Sequence, residues 1–534
     1  AARHHSPARL EPAGGNNLDM RETLTRTLAA LTVWLTLTTA SVFAGPPARA
    51  DLSTNRVLYT VGYAHLDTQW RWGYPRVISR YLPNTLWDNF HLFGEYPDYV
   101  FNFSGANRYH FIQEYFPGGF AQLREWVAKG RWFPAGSSWE ENDVNVPSTE
   151  SSIRQLLYGQ RFFQREFGVS SREYMLPDCF GFPASLPSVL AHCGLRGFST
   201  AKLTWGSAVG IPFNLGVWEG LDGESVIAAF NPGKYDGNIT EDLSASAKWQ
   251  EQLEANRQLC GIASDLHYYG IGDEGGAPRE DSVQWIQRSV TNRGPVRVLS
   301  ARADQLFNDI TPAQRARLPR YQGDLLLTEH SAGSLTSQAY MKSWNRLNET
   351  LAVAAEKAAV AAHLLGATPY PRQKLNRAWE LVLGAQFHDI LPGTSLPKCY
   401  EYSWNDEIIA LNCFASVLQS SVGGVARALD TQVAGVPLVV FNPLSIERED
   451  VVEAELDFHV GTAVQVFDGA GQPVPTQVLA NESDQQAGKT RILFLARVPS
   501  VGFAVFSARE TSGTGVSPVS ASPLRVTDRS LENA

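Results

Sequence analysis

The chain has 534 residues, 44% of them hydrophobic and 11% aromatic, enough to bury a sizeable core spread over two or three domains. Its formal net charge of -9 and the lack of any Lys/Arg run exclude a nucleic-acid partner, because phosphate binding needs a concentrated basic face. Five cysteines, Cys179, Cys193, Cys260, Cys399 and Cys413, are odd in number and form no CxxC pair, which leaves neither a disulfide framework nor a thiolate zinc site.

In chain order, residues 1–19 read as an upstream extension. After Met20 come Arg21 and Arg26, an apolar stretch from Leu28 to Ala44, and small residues ending Ala48-Arg49-Ala50, the three-part pattern of a secretory signal. The expected location is therefore secreted or periplasmic. No later segment is expected to span a bilayer. From about Asn55 to about Gly323, strand-like runs alternate with amphipathic stretches such as Ser152 to Phe163, implying parallel strands joined by crossover helices. From Ser334 to about Ala428 the sequence becomes rich in Ala, Leu, Glu and Lys at helical spacing, which predicts a bundle of two or three helices. After Gly435, Val436 to Phe441, Val451 to Leu456 and Thr490 to Leu495 read as strands of an all-β module, and Thr511 to Pro518 as a linker or loop. Four matches to the glycosylation sequon, at Asn102, Asn238, Asn348 and Asn481, matter only in a eukaryotic secretory pathway.

Four segments end alike. The strand-like run Arg56 to Ala64 stops at His65-Leu66-Asp67; Glu173 to Pro177 runs into Asp178; Leu266 to Gly272 leads into Asp273 and Glu274; and a helical stretch around Trp379 and Val382 delivers His388 and Asp389. Barrel and open α/β folds carry their chemistry at the carboxyl ends of strands, so charged residues recurring there point to one shared site. A catalytic zinc ion takes about four ligands and keeps a position open, and His65, Asp67, Asp178 and His388 would supply two imidazoles and two carboxylates. Asp178 suits a nucleophile, and either Asp273 or Glu274, in a glycine-flanked loop, a proton donor. Two carboxylates about 5 Å apart across a glycosidic bond make a retaining hydrolase.

These motifs resemble glycoside hydrolase family 38, the zinc-dependent α-mannosidases. The match runs in order: Ala64 to Trp70 (AHLDTQW), Trp139 to Ser148 (WEENDVNVPS), Leu176 to Gly181 (LPDCFG), Tyr269 to Asp273 (YGIGD) and Phe387 to Thr394 (FHDILPGT). Glu329 to Gly333 with Thr336 to Ala339, and later Val440 to Ser445, look like the entry to the helical domain and the start of that family's β region. The resemblance implies that His65, Asp67, Asp178 and His388 hold one zinc ion, that Asp178 doubles as nucleophile, and that Trp70 lines the sugar subsite. Asp273 is the favoured acid/base. Glu274, Asp143 and Asp389 are assigned to substrate binding around it. Members of the family continue through a long β region, so the chain is expected to be C-terminally truncated.

The expected architecture is an α/β barrel-like catalytic domain of the (β/α)7 type over 51–328, a helical bundle over 329–430, and the start of an all-β sandwich over 431–534. The expected function is an exported retaining α-mannosidase acting on mannosides or mannose-bearing glycans, either as a monomer or as an oligomer. A metal-dependent carbohydrate deacetylase and a catalytically silent mannose-binding protein are the alternatives.

Overall fold

The computed structural model describes residues 51–458, 463–479 and 489–511, together with the backbone of a short pairing between 525–526 and 531–532. The signal-like stretch, the sequon at Asn481 and residues 512–518 of the linker lie outside the described residues.

Strand β1 (Val57–Ala64) is buried along its whole length, as its run of apolar and β-branched side chains requires of a strand covered on both faces. It pairs in parallel with β8 (Ser264–Ile271) from end to end. On its other flank it meets β9 (Arg297–Ser300) over Val57 to Thr60 and β2 (Phe101–Ser104) at Gly62 and Tyr63. β3 (Trp132–Ala135) continues beyond β2, so the sheet is five-stranded and parallel throughout. A second sheet runs β10-β6-β7-β5-β4, made of β4 (Glu173–Met175), β5 (Gly197–Ser199), β6 (Leu215–Glu219), β7 (Ser225–Ala229) and β10 (Arg320–Gln322). Here β6 and β7 are antiparallel, a departure from the all-parallel expectation. The two sheets adjoin at β3 and β4, where the Gly136 amide donates to the Glu173 carboxylate at 2.7 Å. No strand ladder joins them, so among the described residues neither sheet closes and the expected barrel is replaced by two open sheets.

Helix α1 (Thr149–Phe167) starts where the Ser148 side chain accepts from the Ser151 amide and stops at Gly168, whose φ of 67° no β-carbon would favour. Midway, Gly159 lets the helix lie on the backbone of Ser137 and Ser138: a β-carbon there would meet backbone atoms at 2.3 to 2.5 Å. Gln155 of the same helix accepts from the Glu140 amide at 2.9 Å and donates to the Leu383 carbonyl at 2.9 Å. That side chain ties the sheet region to the helices that follow. These are α2 (Ala339–Leu364), α3 (Arg372–Ala385) and α4 (Pro397–Ala428), packed together as three helices. Arg154 of α1 grips Glu356 of α2 with two hydrogen bonds, 2.9 and 2.7 Å, and lies over the Trp379 ring of α3.

Helix α4 is long and apolar enough to cross a bilayer, against the expectation that nothing beyond the N-terminal region is. One side of it, Tyr400, Ala410, Phe414 and Val417 among others, is buried in this structure, and it carries a buried Glu407. The described residues between 436 and 511 then form two sheets, β11-β17-β13-β14 and β12-β16-β15, enclosing Val466, Ile492, Phe494, Phe506 and Ala508. β11 is Val436–Asn442, β12 Arg448–Leu456, β13 Ala463–Phe467, β14 Pro473–Val474, β15 Thr476–Leu479, β16 Thr490–Val498 and β17 Gly502–Thr511. Two of the sequons are structural: Asn102 is buried with its amide on the Gly62 and Ala301 carbonyls, and Asn348 is buried against Glu407.

Candidate metal and catalytic centre

His65 directly follows β1, and its backbone extends the β1/β8 pairing. The His65 amide donates to the Ile271 carbonyl, the Gly275 amide to the His65 carbonyl, and the Asp67 amide to the Asp273 carbonyl, each at 2.8 to 2.9 Å. Gly270 makes this approach possible; its φ is positive and a β-carbon would fall 1.8 Å from the Tyr63 carbonyl oxygen. Asp178 comes from the turn after β4. His388 sits three residues past α3, where Phe387 bridges to Asn142 and the His388 amide donates to the Glu141 carbonyl.

Three of the four sequence-predicted ligands, His65, Asp67 and His388, face one another, and Asp178 lies at their edge. Asp67 Oδ1 lies 3.1 Å from His65 Nε2 and 3.4 Å from His388 Nε2, while Asp178 Oδ2 lies 4.0 and 3.8 Å from the same two nitrogens. Both Nε2 atoms and Asp67 Oδ1 are buried and have no hydrogen-bond partner. Three buried ligand-type atoms facing each other unpaired are costly unless a cation sits among them, and two imidazoles with two carboxylates suit a zinc-type ion. The electrostatics agree. Burial disfavours a charged His65 ring, yet Glu141 and Asp67 outweigh it and raise its pKa to about 10. Burial would lift Asp67 too, but His65 and His388 prevail and hold it below the usual carboxylate range. The pocket thus asks for positive charge. Of the four ligand side chains, only Asp178 is appreciably open to solvent, at 13% against 2% or less.

Asp178 Oδ1 accepts from Lys202 Nζ at 2.5 Å and from the Tyr235 hydroxyl at 3.1 Å; the same hydroxyl reaches Asp273 Oδ1 at 3.4 Å. Asp273 is therefore part of the cluster, with its pKa raised by burial and by Asp67 and Asp178 against the opposing pull of His65. Its φ of 63° is the left-handed conformation tolerated by Asp in a tight turn. Glu274, next door, is exposed, and only its backbone joins, through a bridge to Leu66. Asp389 is buried and hydrogen-bonded by the Thr394 hydroxyl, with its other oxygen 3.8 Å from His388 Nε2. Asp143 is also buried, but its carboxylate accepts from the Val146 and Asn145 amides at 2.8 and 3.3 Å and so shapes its own loop. Trp70, partly exposed, has the Arg71 guanidinium over its ring and lies three residues past Asp67.

Sequence reasoning missed Lys202, Tyr235, Glu141 and Arg108. Glu141 stood inside a quoted motif; Lys202, Tyr235 and Arg108 had no local signal to separate them from surface or core residues. Arg108 is fully buried, with two of its nitrogens on the Leu66 carbonyl between His65 and Asp67, at 2.9 and 2.6 Å.

Two family models match the chain. Residues 55–324 match the glycosyl hydrolases family 38 N-terminal domain, and residues 329–412 the alpha mannosidase middle domain. Alpha-mannosidase G of Dictyostelium discoideum is 33% identical over 351 residues, 64% of this chain and 31% of that protein. Human alpha-mannosidase 2C1 is 31% identical over 356 residues, 65% of this chain and 33% of that protein. The chain thus spans about a third of the length of these relatives. The crystal structure of an alpha-mannosidase from Enterococcus faecalis V583 shares the fold with a TM-score of 0.68 at 18% identity, covering 86% of this chain and 56% of that one. With a family model spanning more than half of its residues, the chain belongs to glycosyl hydrolase family 38.

Proposed function

We propose that this chain carries the catalytic centre of a retaining α-mannosidase that hydrolyses terminal α-mannosides of glycans or glycoconjugates. The observation that carries the reading is one hydroxyl, that of Tyr235, touching both Asp178 and Asp273 beside the His65, Asp67, His388 cluster. These oxygens, 3.1 and 3.4 Å from one hydroxyl, lie no farther apart than the short edge of the range of about 6.5–9.5 Å that an inverting enzyme needs for its water, which favours the closer spacing of a retaining one.

In this reading His65, Asp67, Asp178 and His388 hold a zinc ion, which when bound would grip vicinal hydroxyls of the mannose and favour its distorted ring. Asp178 attacks the anomeric carbon. Lys202 and Tyr235, both donating to its Oδ1, hold and steer the carboxylate. Asp273, raised by burial, gives its proton to the glycosidic oxygen as the carbon–oxygen bond breaks. The resulting Asp273 carboxylate then takes a proton from the incoming water, whose oxygen displaces Asp178 from the anomeric carbon and regenerates both groups. Tyr235 remains a donor throughout, since burial and Asp178 hold its hydroxyl far above neutral pH. Trp70 and Asp389 flank the sugar. Export through the signal-like residues 20–50 is part of the proposal, and sequencing the amino terminus of the mature protein tests it.

The deciding experiment is release of mannose from an aryl α-mannoside, abolished by a chelator and restored by zinc, with the first-formed anomer read by proton NMR. Asp178→Asn should stay folded and lose turnover. Acetate release from an acetylated sugar without glycosidic cleavage, or mannose binding without turnover, overturns the mannosidase reading.

A further inference from the structure

Glu141 has no part in the chemistry above, yet it touches both histidines of the cluster. We propose that Glu141, braced from behind by Arg108, is the positioning residue that fixes the tautomer and the aim of both imidazoles; the inference rests on the metal reading. Two different parts of the residue act. Its backbone carbonyl accepts from His388 Nδ1 at 2.8 Å, which places that ring's proton on Nδ1 and leaves Nε2 a free lone pair. Its side-chain Oε2 lies 3.1 Å from His65 Nδ1, and the ring's Nε2 is turned toward Asp67 and Asp178. The rings stack with centroids 5.3 Å apart, so each constrains the other.

The brace is as specific. Glu141 Oε1 accepts from the Tyr63 and Ser104 hydroxyls and has Arg108 at 3.6 Å. Arg108 in turn holds the Leu66 carbonyl and the Ser104 carbonyl, and pairs with Glu140 at 3.3 Å. Every group facing the Glu141 carboxylate can donate to it, His65 Nδ1 and Arg108 by close approach and the two hydroxyls by hydrogen bonds. Only a carboxylate accepts at both ends: a glutamine amide must turn its NH2 either on the His65 Nδ1–H or on the hydroxyls and the guanidinium. Either choice pushes His65 toward the wrong tautomer or out of line, and a residue that orients metal-bound histidines carries about 10–100-fold in affinity.

The test uses the whole chain and zinc itself, with the dissociation constant measured by competition against a chromophoric chelator. Glu141→Gln is expected to weaken zinc binding at least tenfold while the folded fraction stays that of the parent. A dissociation constant within threefold of the parent overturns the inference. If that variant does not fold, the unmutated protein decides: with 15N-labelled histidine and bound cadmium, metal coupling should appear at Nε2 of both rings, and coupling at Nδ1 of either overturns it. A parent that takes up no metal removes the metal reading and this inference together, whereas a parent that binds and a variant that binds equally removes the inference alone.

Discussion

Replacing Arg108 with methionine isolates what a buried guanidinium does in this fold. Methionine is of similar reach, so the substitution leaves little empty volume but deletes three carbonyl-directed hydrogen bonds and the cation facing Glu140 and Glu141. The Leu66 carbonyl loses both of its donors from this side chain. Glu140 keeps the amide of Asn107 at 3.2 Å, and Glu141 keeps the Tyr63 and Ser104 hydroxyls, so neither carboxylate is stripped of every partner. Removing one member of a buried ion pair costs about 3–5 kcal/mol, and the remaining hydrogen bonds place this case toward the lower end. Against a typical total of about 5–15 kcal/mol that is a large loss. Urea unfolding of chelator-treated protein at pH 7, followed by tryptophan fluorescence, measures it, with Arg497→Met as a control because that guanidinium meets Glu447 on the surface. The control should leave the transition in place. A loss below about 1 kcal/mol for Arg108→Met, the scale of one ordinary hydrogen bond, would refute the claim that this cation holds the ligand-bearing turn together.

Asp273→Asn should lower kcat/KM for an aryl α-mannoside by about 100-fold or more, whereas Glu274→Gln, at an exposed position, should stay within about threefold; equal losses would reopen the acid/base assignment. Glu407, buried in α4, has its pKa raised to about 8 by burial and by Asp406 and Glu349, with Asn348 opposing. A raised carboxyl pKa stabilises the fold fully below the unfolded value near 4.5 and loses that contribution as pH climbs toward about 8. Glu407→Gln should therefore be more stable than the parent at pH 8, with the gap closing toward pH 5 in thermal scans; a gap that widens on acidification would contradict the sign. Gly159→Ala places a β-carbon against the Ser137 and Ser138 backbone, so it should destabilise by several kcal/mol, about the scale of severe overpacking, although alanine favours helices. A denaturation midpoint equal to the parent's would mean that α1 can lift away without cost.

The residues that announced themselves did so through position. His65, Asp67, Asp178 and Asp273 follow apolar strands, where a charged side chain is out of pattern and so visible; His388 and Asp389 follow a helix with a clear apolar face. Arg108 and Lys202 were invisible for the opposite reason. A lone cation in a mixed stretch of sequence ordinarily points to water, and only the assembled fold shows these two buried. Helix α4 misled in a third way: its apolar content is shared between a core face and exposed Trp404, Ile408 and Ile409, so composition alone resembles a membrane span. The antiparallel β6 and β7 were legible and overlooked. Gly220 to Glu224, with Asp222-Gly223 at its centre, is a turn between two apolar runs, and a hairpin of that kind cannot belong to an all-parallel sheet. Closure was beyond the sequence, because whether β3 and β4 zip together depends on side chains such as Glu173 wedged between them.

Strand β1 is flanked along its full length on one edge and by two different strands laid end to end on the other. No local fraying can free it; its amides can reach solvent only when β2, β8 and β9 part together. In heavy water the amide protons of Leu58 to Tyr63 should be among the last to be replaced, and the turn bearing His65 and Asp67 is anchored to the most slowly opening element of the molecule.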